Sequence, residues 1–143
     1  MTDCRVLLVD DEVDFVEVLA DRLEARGLQV VKAHNGSQAL EEAEGKVFDA
    51  ILLDMAMPGM GGIETLEGLL KINPDLQVIL LTGQATLEQA ATAIRIGALD
   101  LLEKPADIET LVSKIELAAT RRWAMEEKRI EEKVADIIRK KGW

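Results

Sequence analysis

Sulfur, imidazole and aromatic rings are scarce in this chain. Its 143 residues include one Cys, one His, three Pro, two Phe, two Trp and no Tyr. Cys4 alone can form no internal disulfide, which fits a reducing compartment. His34, the sole imidazole, reads as an exposed loop residue, and Cys4 as an inert thiol ahead of the first strand. No apolar run approaches the roughly 20 residues of a membrane span. Asp10, Asp11, Glu12 and Asp14 interrupt the first 20 residues, so no signal peptide is expected there. The expectation is a soluble, cytoplasmic protein without a membrane partner.

Positive charge is also scarce, except at one end. Residues 121–143 hold eight Lys/Arg against five Asp/Glu, which leaves residues 1–120 with nine against twenty-two. So acidic a body repels phosphate backbones, and direct nucleic-acid binding is not expected of it. The tail mixes both signs and reads as a solvated helix face.

What is present is an alternation. Apolar, β-rich runs at 5–9, 28–33, 49–53, 77–81 and 98–102 are separated by helical patterns. The central runs are continuously apolar, as strands buried on both faces should be. Val13, Val16, Leu19, Ala20 and Leu23 have helical spacing, stopped by Gly27. Gly36–Ala43, Ile63–Ile72 and Leu87–Ile96 give three more helices, the last two ended by Asn73-Pro74 and Gly97. Strand and helix repeated five times imply one α/β domain, a doubly wound parallel sheet with helices on both faces. After Pro105, Asp107 can cap a helix over 107–141 about 50 Å long. Trp123, Ile130, Val134 and Ile137 keep roughly one face of it for about two heptads. Trp123 reads either as an anchor for a second helix or as local packing on the tail.

In such sheets ligands sit beyond the carboxyl ends of the strands. Asp10-Asp11, Asp54, Thr82 and Lys104 each fall at or just after the end of an apolar run, so they should converge on one rim. Three carboxylates with no His or Cys beside them suit Mg²⁺ or Mn²⁺ and disfavour zinc. A carboxylate can also serve as a nucleophile toward phosphorus, with a metal and a Lys ammonium neutralising the developing charge. Met55, Met57 and Met60 flank this rim and read as loop packing.

These residues resemble the receiver domain of two-component response regulators over about residues 4–120. The resemblance rests on Val9-Asp10-Asp11-Glu12, Ala33-His34-Asn35-Gly36, Asp49 through Asp54, Met57-Pro58-Gly59, Leu81-Thr82-Gly83 and Gly97 through Pro105. It implies a flavodoxin-like (βα)5 fold with strand order 2-1-3-4-5, a receiver over 1–121 and a charged helical extension over 122–143. It also implies a phosphorylation switch of a two-component system or phosphorelay. Asp54 would accept a phosphoryl group from a sensor histidine kinase or histidine phosphotransfer protein and later lose it by hydrolysis. Asp11 and Asp54 would hold Mg²⁺ directly, Asp10 largely through water, and the Ala56 carbonyl would complete the protein ligands. Thr82 and Lys104 would receive the phosphoryl oxygens, and the Lys104-Pro105 bond is cis in the family. Ala56 and Gln84 occupy positions that tune hydrolysis in relatives.

One position departs from the pattern. Relatives usually carry Tyr or Phe three residues before the Lys, where this chain has Leu101. The face of the fourth helix, fifth strand and fifth helix is the expected output surface, toward an unidentified partner protein. Self-association through that face or through the C-terminal helix is compatible with the same reading. The stretch Leu81–Thr86 resembles receivers of ATPase-type transcription activators. Two other functions fit parts of the pattern. A Mg²⁺-dependent phosphatase with an Asp nucleophile is disfavoured in its dehalogenase-like form, because Ala56 stands where those enzymes have a second acid. A pseudo-receiver scaffold that is never phosphorylated is disfavoured by the complete Asp, Thr and Lys set.

Overall fold

A computed structural model describes residues 4–57, 59–84 and 86–142; Pro58 of the motifs above, Ala85 and Trp143 lie outside them. Five strands, β1 (Arg5–Val9), β2 (Gln29–Ala33), β3 (Ala50–Asp54), β4 (Val78–Thr82) and β5 (Asp100–Glu103), form one sheet in the order β2-β1-β3-β4-β5. All four pairings are parallel. The helices between and after them are α1 (Val13–Glu24), α2 (Gly36–Gly45), α3 (Gly62–Ile72), α4 (Leu87–Ile96) and α5 (Ile108–Lys140).

The continuous apolar runs divide by alternation, because successive side chains of a strand point to opposite faces. Val6, Leu8, Ala50, Leu52, Ile79 and Leu81 meet Val16, Leu19, Ala20 and Leu23 of α1 and Leu111, Ile115, Ala118 and Ala119 of α5. Leu7, Val9, Ile51, Leu53, Val78 and Leu80 meet Ala39 of α2, Leu66 and Leu69 of α3 and Ala93 of α4. Each face is thus sealed by its own helix layer, and β3 and β4 are buried at every position.

Local chemistry sets the helix ends. Asn35 Oδ1 accepts from the Gln38 amide at 2.9 Å, and Asp107 Oδ2 accepts from the Thr110 amide at 3.1 Å. Thr86 and Gln89 form a reciprocal capping box at the start of α4. Gly97 ends that helix at φ +130°, a conformation side chains disfavour. Apart from β1, each strand differs from its apolar run at one end or both. Asp54 and Thr82 are the last residues of β3 and β4 rather than the first of a loop, and β5 begins at Asp100. Hydrogen bonding carries the ladder one step past the hydrophobic pattern, which cannot mark a polar residue still paired in the sheet.

Helix α5 is one continuous element of 33 residues, capped by Asp107 as expected. Its first turns pack on the sheet, and its middle, from Arg122 to Arg129, is tied to the sheet's amino-terminal edge. Asp49 is buried there and accepts from the Arg5 amide at 2.8 Å, Arg122 Nε at 3.1 Å and Trp123 Nε1 at 2.9 Å. Trp123 therefore docks on the body of the domain, not on the tail. Gln77 Nε2 donates to Met125 Sδ at 3.6 Å, and Arg129 pairs with Asp75. Beyond that, Ile130, Val134, Ile137 and Ile138 are exposed. Among the described residues no helix is long and apolar enough to cross a membrane.

Replacing Asp49 with Ala removes the acceptor of all three donors and leaves Arg122 half-satisfied. Urea denaturation should show a loss of about 2–3 kcal/mol for Asp49→Ala. A loss under about 0.5 kcal/mol, the scale of an ordinary surface change, would contradict the anchoring role.

Candidate functional site

Parallel register places the chemistry. Val9 pairs with Leu53, so Asp10 and Asp54 emerge at the same level from adjacent strands. Asp54 pairs with Leu81 and Thr82 with Glu103, which brings Thr82 and Lys104 to the same rim. Backbone bonds continue the ladders there: Asp10 N donates to Ala33 O at 3.1 Å, Met55 N to Leu81 O at 2.9 Å and Lys104 N to Thr82 O at 2.7 Å. The rim lies where strand order reverses about β1 and β3, the switch point at which open α/β sheets bind ligands. Gly62 closes the β3–α3 loop over it: its amide donates to Met55 O at 3.0 Å, and a Cβ there would stand 2.5 Å from Met55 Cα.

Lys104 ties the acids together. Its Nζ stands 2.6 Å from Asp10 Oδ2, 3.3 Å from Asp54 Oδ1 and 3.5 Å from Glu12 Oε1. Asp10, Asp54 and Thr82 are buried, and Asp11 is exposed at the lip. Asp10, Asp11 and Asp54 each offer a carboxylate oxygen within 4.8 Å of the others. Asp10 also accepts the Glu12 amide through Oδ1 at 3.0 Å. Thr82 Oγ1 accepts the Gln84 amide at 3.2 Å, and Ala56 is exposed in the loop after β3. The Lys104-Pro105 peptide is cis. The structure therefore brings Asp10, Asp11, Asp54, Thr82 and Lys104 to one rim, with Ala56 beside it.

Burial, and then the charge of Asp10, pushes the Asp54 carboxyl above its ordinary value, while Lys104 and the Ala56 amide pull it back. Burial would lower the Lys104 ammonium, yet its bond to Asp10 and the charges of Asp10 and Asp54 hold it above the usual lysine value. Cys4 is buried away from this rim and its thiol is pushed up to about 11, an unreactive state. Three carboxylates against one ammonium leave negative charge for a cation to neutralise, and an all-oxygen donor set suits a hard one.

Two contributors escape the apolar pattern. Glu12 joins the Lys104 network, and the Phe15 ring lies with its centroid 4.4 Å from Lys104 Nζ. Phe15 reads in sequence as one more apolar residue of α1, and only the return of Lys104 across 89 positions gives it a partner. The flanking methionines pack as expected: Met57 is buried, and Met60 lies over Gly36. His34 donates its amide to Gln38 Oε1 at 2.8 Å, at the start of α2.

The profile of the response regulator receiver domain matches residues 6–116. The chain belongs to the receiver family. It is 41% identical over 106 residues to the transcriptional regulatory protein ZraR of Klebsiella oxytoca, covering 74% of this chain and 24% of that one. The chain thus spans about a quarter of the length of such curated relatives. Among solved structures, a CheY-like receiver domain from Methanospirillum hungatei superposes with a TM-score of 0.82 at 29% identity, covering 86% of this chain and 98% of the other. A Burkholderia pseudomallei response regulator described with a phosphorylated aspartic acid, calcium ion and citrate superposes with a TM-score of 0.76 at 28% identity, covering 98% and 86%.

In this receiver, burial and a like charge both work against the ionised form of Asp54. Asp54→Asn removes the carboxylate charge at nearly constant shape, so the variant should be more stable than the parent by up to about 1 kcal/mol at neutral pH. The sign follows from linkage. A carboxyl raised by folding contributes stability below its unfolded value and loses it as pH rises through its folded value. The gain of Asp54→Asn should therefore be absent near about pH 3 and full by neutrality. Thermal melts across that range check it, and a gain independent of pH would contradict it.

Proposed function

We propose that this receiver is a phosphorylation-activated signalling switch whose phosphoacceptor is Asp54. The observation that carries the reading is the Lys104 ammonium, 2.6 Å from Asp10 and 3.3 Å from Asp54 at a buried rim. An Asp54 oxygen attacks the phosphorus of a phosphohistidine on a kinase or phosphotransfer protein. A P–O bond forms, the P–N bond breaks, and its electron pair returns to the imidazole. Lys104 then exchanges its Asp54 contact for a phosphoryl oxygen, and the Thr82 hydroxyl donates to another. The chain's catalysis is limited to gaining and losing this group.

Asp10, Asp11 and Asp54, with the Ala56 carbonyl, are the residues proposed to hold Mg²⁺, and Mn²⁺ suits the same oxygens. When bound, the ion supplies positive charge to the phosphoryl oxygens. Asp11 and Asp54 are assigned as direct ligands and Asp10 as one acting through water, because both Asp10 oxygens already accept donors, Oδ1 the Glu12 amide and Oδ2 Lys104. The phosphorylated aspartic acid and calcium ion of the Burkholderia pseudomallei relative support both parts.

A receiver over 1–121 with a helical extension over 122–143 would act in the cytoplasm and signal through a partner protein. Leu101 is half-buried among the side chains of the α4 layer, without a ring to bury on activation. The α4–β5–α5 face is the assigned output surface, and the exposed stripe of α5 supports self-association as a second route.

With acetyl phosphate and Mg²⁺, or with a phosphorylated kinase, the chain should gain one phosphoryl group that is labile to both acid and base. Intact-mass measurement should show none on Asp54→Asn. Retained incorporation, or turnover of an external phosphoester, would sink the assignment. Calorimetric titration should show that Asp11→Ala weakens Mg²⁺ binding roughly tenfold more than Asp10→Ala. Equal losses would count against the ligand roles.

A further inference from the structure

Phe15 has a contact that the phosphoryl-transfer roles above leave unused. It stands on the first turn of α1, half-buried, with its ring centroid 4.4 Å from Lys104 Nζ. The same ammonium meets Asp10, Asp54 and Glu12 at 2.6, 3.3 and 3.5 Å. A mostly apolar cavity of about 190 Å³ adjoins the ring, lined by Leu19, Leu81, Pro105, Leu111 and Phe15 itself, with Lys104 and Arg22 also at its wall. Phe15 thus forms the boundary between an apolar wall and the acidic rim.

A lysine stem is flexible and its ammonium strongly hydrated, so three carboxylates at unequal distances do not by themselves fix where it stands. An aromatic face attracts a cation through its quadrupole, and does so more strongly where water is kept out. The Lys104 side chain is only 15% exposed and Phe15 is half-buried, so the contact is partly shielded from water. The other phenylalanine, Phe48, is buried in the opposite helix layer, and Trp123 lies at the far edge of the sheet. With Leu101 in place of the family's usual ring, Phe15 is the aromatic residue the described chain places beside its phosphoryl site.

We propose that Phe15 is the positioning residue for Lys104, its ring face holding the ammonium at the Asp10–Asp54 edge where phosphoryl oxygens are neutralised during transfer. This rests on Asp54 being the phosphoacceptor. In the assay step, an Asp54 oxygen attacks the phosphorus of acetyl phosphate, the bond to the acetyl oxygen breaks, and acetate leaves with the electron pair. Phe15 touches none of the reacting atoms and acts through Lys104.

Fluorination of the ring tests this, because it drains the quadrupole while nearly preserving shape. The full chain carrying Phe15, mono-, di- or trifluorophenylalanine at this position, Phe15→Trp or Phe15→Leu is phosphorylated with acetyl phosphate and Mg²⁺. The initial rate should fall stepwise with fluorination, by about fivefold across the series, and by a similar factor in Phe15→Leu. Phe15→Trp should stay within about twofold of the parent. In the NMR spectrum of the parent, the Lys104 ε-methylene protons should be shifted upfield by the ring, and Phe15→Leu should release them. Fluorinated rings as fast as phenylalanine would overturn the proposal, even with Phe15→Leu slow, since packing alone would then suffice. Unshifted Lys104 protons in the parent would overturn it as well. A parent chain that takes up no phosphate overturns the phosphoacceptor reading itself, and the Lys104 signal then decides the contact alone.

Discussion

Two buried carboxylates side by side would repel each other and resist ionisation, and one ammonium makes the arrangement tolerable. Lys104 bonds to Asp10 at 2.6 Å and reaches Asp54 at 3.3 Å. Removing it would leave like charges at a rim where burial already pushes the Asp54 carboxyl upward. Much of the fold can be read as the means of bringing these three groups together. Four parallel pairings put the ends of β1, β3, β4 and β5 on one side, and the two helix layers keep water from the strands that carry them. The 94-residue separation of Asp10 and Lys104 is closed across the parallel sheet.

This balance differs from one built for stability. A buried ion pair often contributes little beyond its desolvation cost, and a hydrophobic replacement can serve stability as well. Keeping two acids and a lysine at a strand rim has a rationale in chemistry, where charge must be ready before the reacting group arrives. At the opposite edge Asp49 shows the structural alternative. Its oxygens are met by the Arg5 amide, Arg122 and Trp123, and the acidic cluster beyond the strands' other ends has no counterpart there among the described residues.

The fold was largely legible because buried parallel strands leave uninterrupted apolar runs, and Ala50–Leu53 and Val78–Leu81 are of that kind. Strand ends were less legible. Asp54 and Thr82 remain hydrogen-bonded in the sheet, yet their polarity makes them look like loop. Edge strands were also poorly defined: β5 is only half-buried, so its pattern is mixed and its start shifts to Asp100. Of the candidate site, the convergence of Asp10, Asp11, Asp54, Thr82 and Lys104 on one rim was legible from their places at or just after the ends of apolar runs. Phe15 and Asp49 were not, because each is defined by a partner more than 70 residues away, and local spacing holds no record of such a contact.

Helix α5 begins beside the cis Lys104-Pro105 peptide at the acidic rim and passes the whole depth of the sheet. Its clamp at Asp49 and the Arg129–Asp75 pair tie it to the body, and the helix beyond them projects as a free arm. The arm beyond the Arg129–Asp75 pair is about 17 Å long, so a tilt of about 10° there would sweep the last turn sideways by roughly 3 Å. Displacements too small to register within the packed core would be magnified at Ile137 and Ile138, the apolar residues farthest along that arm.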